Sequence, residues 1–115
     1  MDTVRQLSQE RARLIEEIAA LGPMRMGSIC DHYLPTKRKD GSAYRRGPYP
    51  TYTFKRGGKT RGKQLRGAAE ATLYREQIAA FRRFQALSTE LVEVSQRLAD
   101  LEVAGAPEGK KNSRR

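Results

Sequence analysis

Lysines and arginines are the residues of this sequence whose spacing most clearly predicts chemistry. Twelve of them lie between residues 24 and 67 against two acidic residues, so this segment alone carries a net charge of +10, equal to that of the whole chain. Basic side chains neutralise phosphates and release their counterions, which favours nucleic acid as the partner. The candidate phosphate contacts are Lys37, Arg38, Lys39, Arg45, Arg46, Lys55, Arg56, Lys59, Arg61 and Lys63, and the candidate base readers are Thr53, Thr60 and Gln64.

Catalysis and metal binding have little support in the sequence. Cys30 and His32 are the only cysteine and the only histidine, and they lie two positions apart without an evident orienting group. A structural zinc site needs about four such ligands, and an intrachain disulfide needs a second cysteine. We therefore expect a non-catalytic protein that uses no metal and no cofactor.

Three strands are predicted to carry the cations, at residues 26–34, 49–56 and 59–66. Gly57 and Gly58 fit a two-residue primed turn, which would make a hairpin of the last two strands. One face would then carry aromatic and cationic residues, and the other would be polar. Residues 35–48 have turn residues and charge but no apolar period, so they are predicted to form a mobile basic loop.

The aromatic face of the hairpin has two possible roles. We expect Tyr52 and Phe54 to pack on the following helix, where three apolar residues need a cover. The exposed face that contacts base edges would then be the opposite, polar one. These helix residues are Leu73, Ile78 and Phe81.

Apolar residues at helical spacing predict one helix over residues 3–21 and a longer one over 68–102. Both patterns step by three and four, as in a coiled coil, and they match in antiparallel register with only Arg11 interrupting the apolar seam. The predicted fold is α+β, an antiparallel helical hairpin with a small three-stranded antiparallel β-sheet inserted between the helices. Residues 1–103 would form a single domain with the basic β module at 24–67, and 104–115 a disordered basic tail.

The chain has no apolar run of about 18 residues, and residues 1–11 lack the apolar stretch of a secretory signal. We expect a cytoplasmic protein without a membrane partner.

Four short motifs occur in order along the chain: Gly27-Ser28-Ile29, Gly47-Pro48-Tyr49, Gly57-Gly58-Lys59-Thr60 and Phe81-Arg82-Arg83-Phe84. With Tyr33 between the first two, the pattern resembles an uncharacterised family of short bacterial proteins associated with transposons and other mobile elements. Many members have three cysteines before the Gly-Pro-Tyr, whereas this sequence has none there and has Arg46 in place of a histidine. The resemblance implies a mobile-element setting. The sheet followed by a helix is also similar to the arm-type DNA-binding domains of integrases.

The leading hypothesis is a DNA-binding accessory protein of a mobile genetic element. One alternative is an RNA or single-strand binder, which would stack bases on exposed Tyr44, Tyr49 and Tyr52. Another is a protein-interaction adaptor that binds a partner, or a second copy, through the helices. Ile15, Leu73 and Val92 lie off the predicted seam and leave room for such contacts.

Overall fold

The computed structural model describes residues 3–106, which form an α+β fold. Helix α1 spans Val4–Ala19 and helix α2 spans Ala68–Ala104. Between them in the chain are the strands β1 (Ser28–Lys37), β2 (Ala43–Arg56) and β3 (Lys59–Gln64), which form one antiparallel sheet in the order β1-β2-β3. The prediction of two helices and a three-stranded antiparallel sheet is confirmed. No helix among the described residues is both long and apolar enough to cross a membrane.

The chain divides into two compact units. The helical unit takes its described residues from 3–21 and 84–106, and the β-rich unit comprises residues 22–83. Helix α2 contributes residues to both. Of the predicted tail, Ala104 is the last residue of α2, and residues 107–115 lie outside the described residues.

The helical unit has its own apolar core. Thr3 begins α1 with a capping box, in which its hydroxyl accepts from the Gln6 backbone N–H and the Gln6 side chain accepts in return. Core side chains come from both helices, and Leu14 and Leu87 are almost fully buried. The cluster contains Leu7, Leu14, Leu87 and Val94, with Ile18, Leu21, Leu91 and Leu98 packed against it. All eight lie on the predicted seam.

The β-rich unit is built around Tyr52, which is 6% exposed. Its ring stacks on Phe54 and meets Tyr74 edge to face, each with ring centres 5.0 Å apart. The buried cluster is Tyr52, Leu65, Ala71 and Ile78, with Ile29, Phe54 and Tyr74 packed against it. The predicted packing of the aromatic hairpin face on α2 is therefore confirmed for Ile78.

Leu73 was predicted to lie under the hairpin, and this prediction is wrong because Leu73 is 57% exposed. Ala71, Tyr74 and Ile78 are spaced by three and four residues and share one side of α2. Leu73 lies two residues after Ala71, which turns it about 200° away from that side at 3.6 residues per turn.

The hairpin between β2 and β3 has the predicted register, with Tyr52 opposite Lys63 and Lys55 opposite Thr60. Gly57 and Gly58 form the turn with φ of 60° and 79°. Two successive positive φ angles define the primed turn that matches strand twist.

Residues 35–48 do not form the predicted loop. Strands β1 and β2 extend through most of this segment, and Lys37 pairs with Ala43 next to a tight turn. Asp40 holds that turn, since its Oδ1 accepts from the Ser42 backbone N–H at 2.9 Å and from the Ser42 hydroxyl at 2.7 Å. Most side chains here are exposed on both faces. The strands therefore lack the apolar alternation by which a half-buried strand is recognised.

Glu70 caps the start of α2. Its Oε1 accepts from the backbone N–H of Arg66 at 2.6 Å, and its Oε2 accepts from the Arg66 guanidinium at 3.2 Å. The backbone hydrogen bond, followed by the guanidinium contacts and the charge of Lys63, lowers the pKa of Glu70 below its ordinary value of 4.5. A carboxylate in the first turn also complements the helix dipole.

We expect a pH-dependent contribution of Glu70 to stability. Because the folded-state pKa is lower than the unfolded one, the stabilisation is present above pH 4.5 and is lost as pH falls through the folded-state pKa. Glu70→Gln should lower the thermal midpoint at neutral pH and match the parent chain in strong acid. Thermal melts across pH measure this difference. Glu76→Gln, an exposed change on the same helix, is the control, and an equal pH dependence in both variants would contradict the assignment.

Candidate nucleic-acid interface

The ten candidate phosphate contacts form two groups at opposite ends of β2. Successive strands run antiparallel, so the β1–β2 turn and the β2–β3 turn lie at opposite ends of that strand. All ten side chains are exposed. The arm cluster is Lys37, Arg38, Lys39, Arg45 and Arg46, and the hairpin cluster is Lys55, Arg56, Lys59, Arg61 and Lys63.

Between the clusters β2 has no charge. Residues 47–54 read Gly-Pro-Tyr-Pro-Thr-Tyr-Thr-Phe, and the paired part of β1 contributes one carboxylate, Asp31. The structure thus does not gather the predicted cations into one patch but separates them along the sheet.

The arm cluster lies on a two-stranded ribbon. Strand β3 pairs with residues 51–56, so residues 34–37 and 43–46 pair with each other beyond it, after a β-bulge between His32 and Leu34. The Arg38 guanidinium carbon lies 4.4 Å from the Tyr44 ring centre, and that of Arg45 lies 4.6 Å from the Tyr33 ring centre. Both distances are within cation–π range. Two of the five arm cations are therefore held against rings.

Asp40 is the one acidic residue in the arm turn. Hydrogen bonds from the Ser42 hydroxyl and then the Ser42 backbone N–H lower its pKa. Its carboxylate stays ionised at neutral pH and, because both oxygens act as acceptors only, it is suited to fixing the turn rather than to binding phosphate.

The hairpin cluster is divided between the two faces of the sheet. Strand alternation and register place Lys55 on the polar face with Thr53, Thr60 and Gln64. The other four cations alternate with them and start from the face that packs on α2. Among these, Lys63 Nζ donates to the Tyr74 hydroxyl at 3.2 Å. The predicted base readers are thus brought together on one face, with a single cation beside them.

The three base readers differ in their surroundings. Thr53 is half-buried, and its hydroxyl lies 3.1 Å from that of Ser28 and 3.5 Å from the Ser28 carbonyl oxygen. Thr60 and Gln64 are exposed on β3. The side chains of these two residues are better placed than that of Thr53 to reach a base edge.

Arg25 and Arg66, the other two cations of the 24–67 segment, stabilise the unit. The Arg25 guanidinium lies 4.1 Å from the Tyr74 ring centre, and its Nε donates to Gln77 Oε1 at 2.7 Å. Arg66 pairs with Glu70 at 3.2 Å. Both side chains therefore make contacts within the β-rich unit.

Two arginines of α2 were missed by the sequence analysis. Arg75 and Arg82 line a hollow of about 430 Å³ beside Ser28 and Ile29 at the start of β1. Arg75 also lies 3.6 Å from Asp31. The available signal was their spacing of seven residues, which places two cations on one side of a helix.

Within residues 3–106, no group of three or more His, Cys, Asp or Glu side chains is placed to hold a metal ion. Comparison with known proteins gives no significant match to a protein-family model, a curated protein or a solved structure.

Proposed function

We propose that this chain is a non-catalytic nucleic-acid-binding protein that binds duplex DNA through its phosphates. The observation that carries the proposal is the pair of exposed cation clusters on the β-rich unit. Ten cations and one turn carboxylate in these two groups make a field that attracts a polyanion. The candidate base readers lie on one sheet face with Lys55, where they would supplement the phosphate contact of that cation.

The aromatic residues support duplex over single-strand binding. Tyr52, one of the three tyrosines needed for base stacking, is buried in the core of the unit. The Tyr44 ring is covered by Arg38, although Tyr33 is 42% exposed beside Arg45. Base stacking requires an accessible ring face. The Tyr52 ring is packed in the core, and the rings of Tyr44 and Tyr33 lie against arginine side chains.

The second candidate function is a protein-interaction adaptor, which the helical unit favours. Its eight-residue apolar cluster supports the antiparallel coiled coil that we propose for α1 and the matching part of α2. Outside that cluster Val92 is 62% exposed, and a hollow of about 540 Å³ is lined by Val4, Arg11, Leu98 and Leu101 among others. Val4 and Leu101 are exposed and line the same hollow, and adjacent exposed apolar side chains are typical of protein contacts.

A cytoplasmic accessory role for a mobile element is the setting that we propose. It is supported by the four sequence motifs from Gly27 to Phe84 and by the basic charge. A small DNA-binding protein of this kind would act beside a larger recombination enzyme, which the helical unit would recruit.

Fluorescence anisotropy with labelled duplex DNA, single-stranded DNA and hairpin RNA tests the proposal across a salt series. We expect the duplex to bind best, with log affinity falling by about 5 to 9 per unit of log salt if six to ten phosphates are contacted. Stronger binding to single-stranded DNA or to hairpin RNA would show that this class of nucleic acid, and not duplex DNA, is the partner. Absence of binding to all three at about 50 mM salt would overturn the proposal and leave the adaptor role, which sedimentation analysis of self-association then examines.

A further inference from the structure

The distance between the two cation clusters follows from the length of β2. Arg45 in the arm cluster and Arg56 in the hairpin cluster are eleven residues apart on this continuous strand. At about 3.3 Å per residue the strand separates them by roughly 36 Å, and the β-bulge and twist shorten this slightly. Strand β1 pairs with β2 on both sides of the bulge and β3 pairs with residues 51–56, so backbone hydrogen bonds limit changes in this separation.

Double-stranded B-DNA presents phosphates at a spacing close to this length. One helical turn spans about 34–36 Å, so equivalent phosphates on one side of the duplex recur at that distance. Residues 47–51 carry no charge and pair with no cation of β3, so they lie between the clusters, where the two grooves and the backbone of the other DNA strand would pass. Aligned along the duplex, the two clusters would meet phosphates of the same strand that are one turn apart.

We propose that the two clusters act as a two-point clamp whose spacing matches one turn of B-DNA. The clamp rests on the proposed function and assigns its substrate class, a B-form duplex at least one turn long. Once one cluster is bound, the paired strands hold the other at a high effective concentration over the next turn. A duplex shorter than one turn engages a single cluster.

Binding should therefore depend on duplex length in a stepwise manner. Between 8 and 16 base pairs we expect affinity to rise by roughly 100-fold, beyond the small gain from additional equivalent sites. The fall in log affinity per unit of log salt should also double, from about 4.5 for five phosphates to about 9 for ten. An A-form RNA duplex of 16 base pairs, with a different groove geometry, should bind more weakly.

Matched triple variants separate the two clusters. The arm variant carries Lys37→Gln, Lys39→Gln and Arg46→Gln, and the hairpin variant carries Lys55→Gln, Lys59→Gln and Arg61→Gln. All six side chains are exposed, and the ring-stacked Arg38 and Arg45 and the bonded Lys63 are kept. Each variant should lose the step between 8 and 16 base pairs.

Anisotropy titrations of the full chain with 8-, 12-, 16- and 24-base-pair duplexes measure how affinity depends on duplex length and so test the clamp. A step near 10–12 base pairs that either variant abolishes supports the clamp. A smooth rise with length, or a step that survives in either variant, overturns it while leaving DNA binding intact. Absence of binding at every length overturns the clamp together with the proposed function.

Discussion

Combining the two triple variants should lower the affinity of the chain for a 24-base-pair duplex by roughly 1,000-fold or more at about 0.1 M salt. Each lost phosphate contact returns about one condensed counterion, so the six changes should reduce the salt dependence by about 5. The six cations lie at both ends of the sheet and make none of the core contacts. The variant should therefore fold with an unchanged circular dichroism spectrum.

The control for this variant removes charge from the helical unit. Arg5→Gln with Arg11→Gln lowers the net charge by two without changing either cluster. General attraction between a basic protein and DNA predicts a proportionate loss, whereas cluster contacts predict only a few-fold loss and an almost unchanged salt dependence. Equal losses per charge in the two variants would show that net charge, and not the clusters, determines binding.

Replacing Gly27 with alanine should destabilise the β-rich unit by about 3–5 kcal/mol, a large part of the stability of a small domain. Gly27 has φ of 121°, which side-chain-bearing residues rarely adopt. An added Cβ would lie 2.5 Å from the Thr53 carbonyl oxygen and 2.6 Å from a ring carbon of Tyr52. The ring is fixed there because the Tyr52 hydroxyl donates to the Met26 carbonyl oxygen.

Gly62→Ala is the matched control in the same sheet. Its Cβ would meet a Thr51 methyl at 3.8 Å, an ordinary van der Waals distance, and no positive φ is involved. Urea unfolding followed by near-ultraviolet circular dichroism, which reports on the tyrosine cluster, compares the two. Equal stability of Gly27→Ala and the parent chain would contradict the close packing of Tyr52 on this glycine.

The elements with a hydrophobic or glycine signal were predictable from sequence. Gly57-Gly58 specifies a two-residue turn, and a two-residue turn fixes the hairpin register, so the pairing of Tyr52 with Lys63 followed directly. The seam residues from Leu7 to Leu98 were recognisable by their spacing. In both cases a local rule determines the long-range contact.

The arm ribbon was not predictable by the same rules. It is held by backbone pairing, the Asp40 turn and arginine–tyrosine stacking, and none of these produces an apolar period. Its extension of β2 is also what separates the cations into two clusters. The sequence therefore identified the candidate cations, but their arrangement depended on the segment whose structure it did not reveal.

The stacking of Arg38 on Tyr44 and Arg45 on Tyr33 has a consequence for the entropy of binding. A long basic side chain carries about 2 kcal/mol of rotamer entropy, much of which is lost when it is fixed on a ligand. A guanidinium already resting on a ring has fewer rotamers to lose, and its planar fork of donors keeps its direction. In the proposed complex with DNA these two arginines would already be organised for a phosphate, whereas Lys37 and Lys39 would have to be ordered by it.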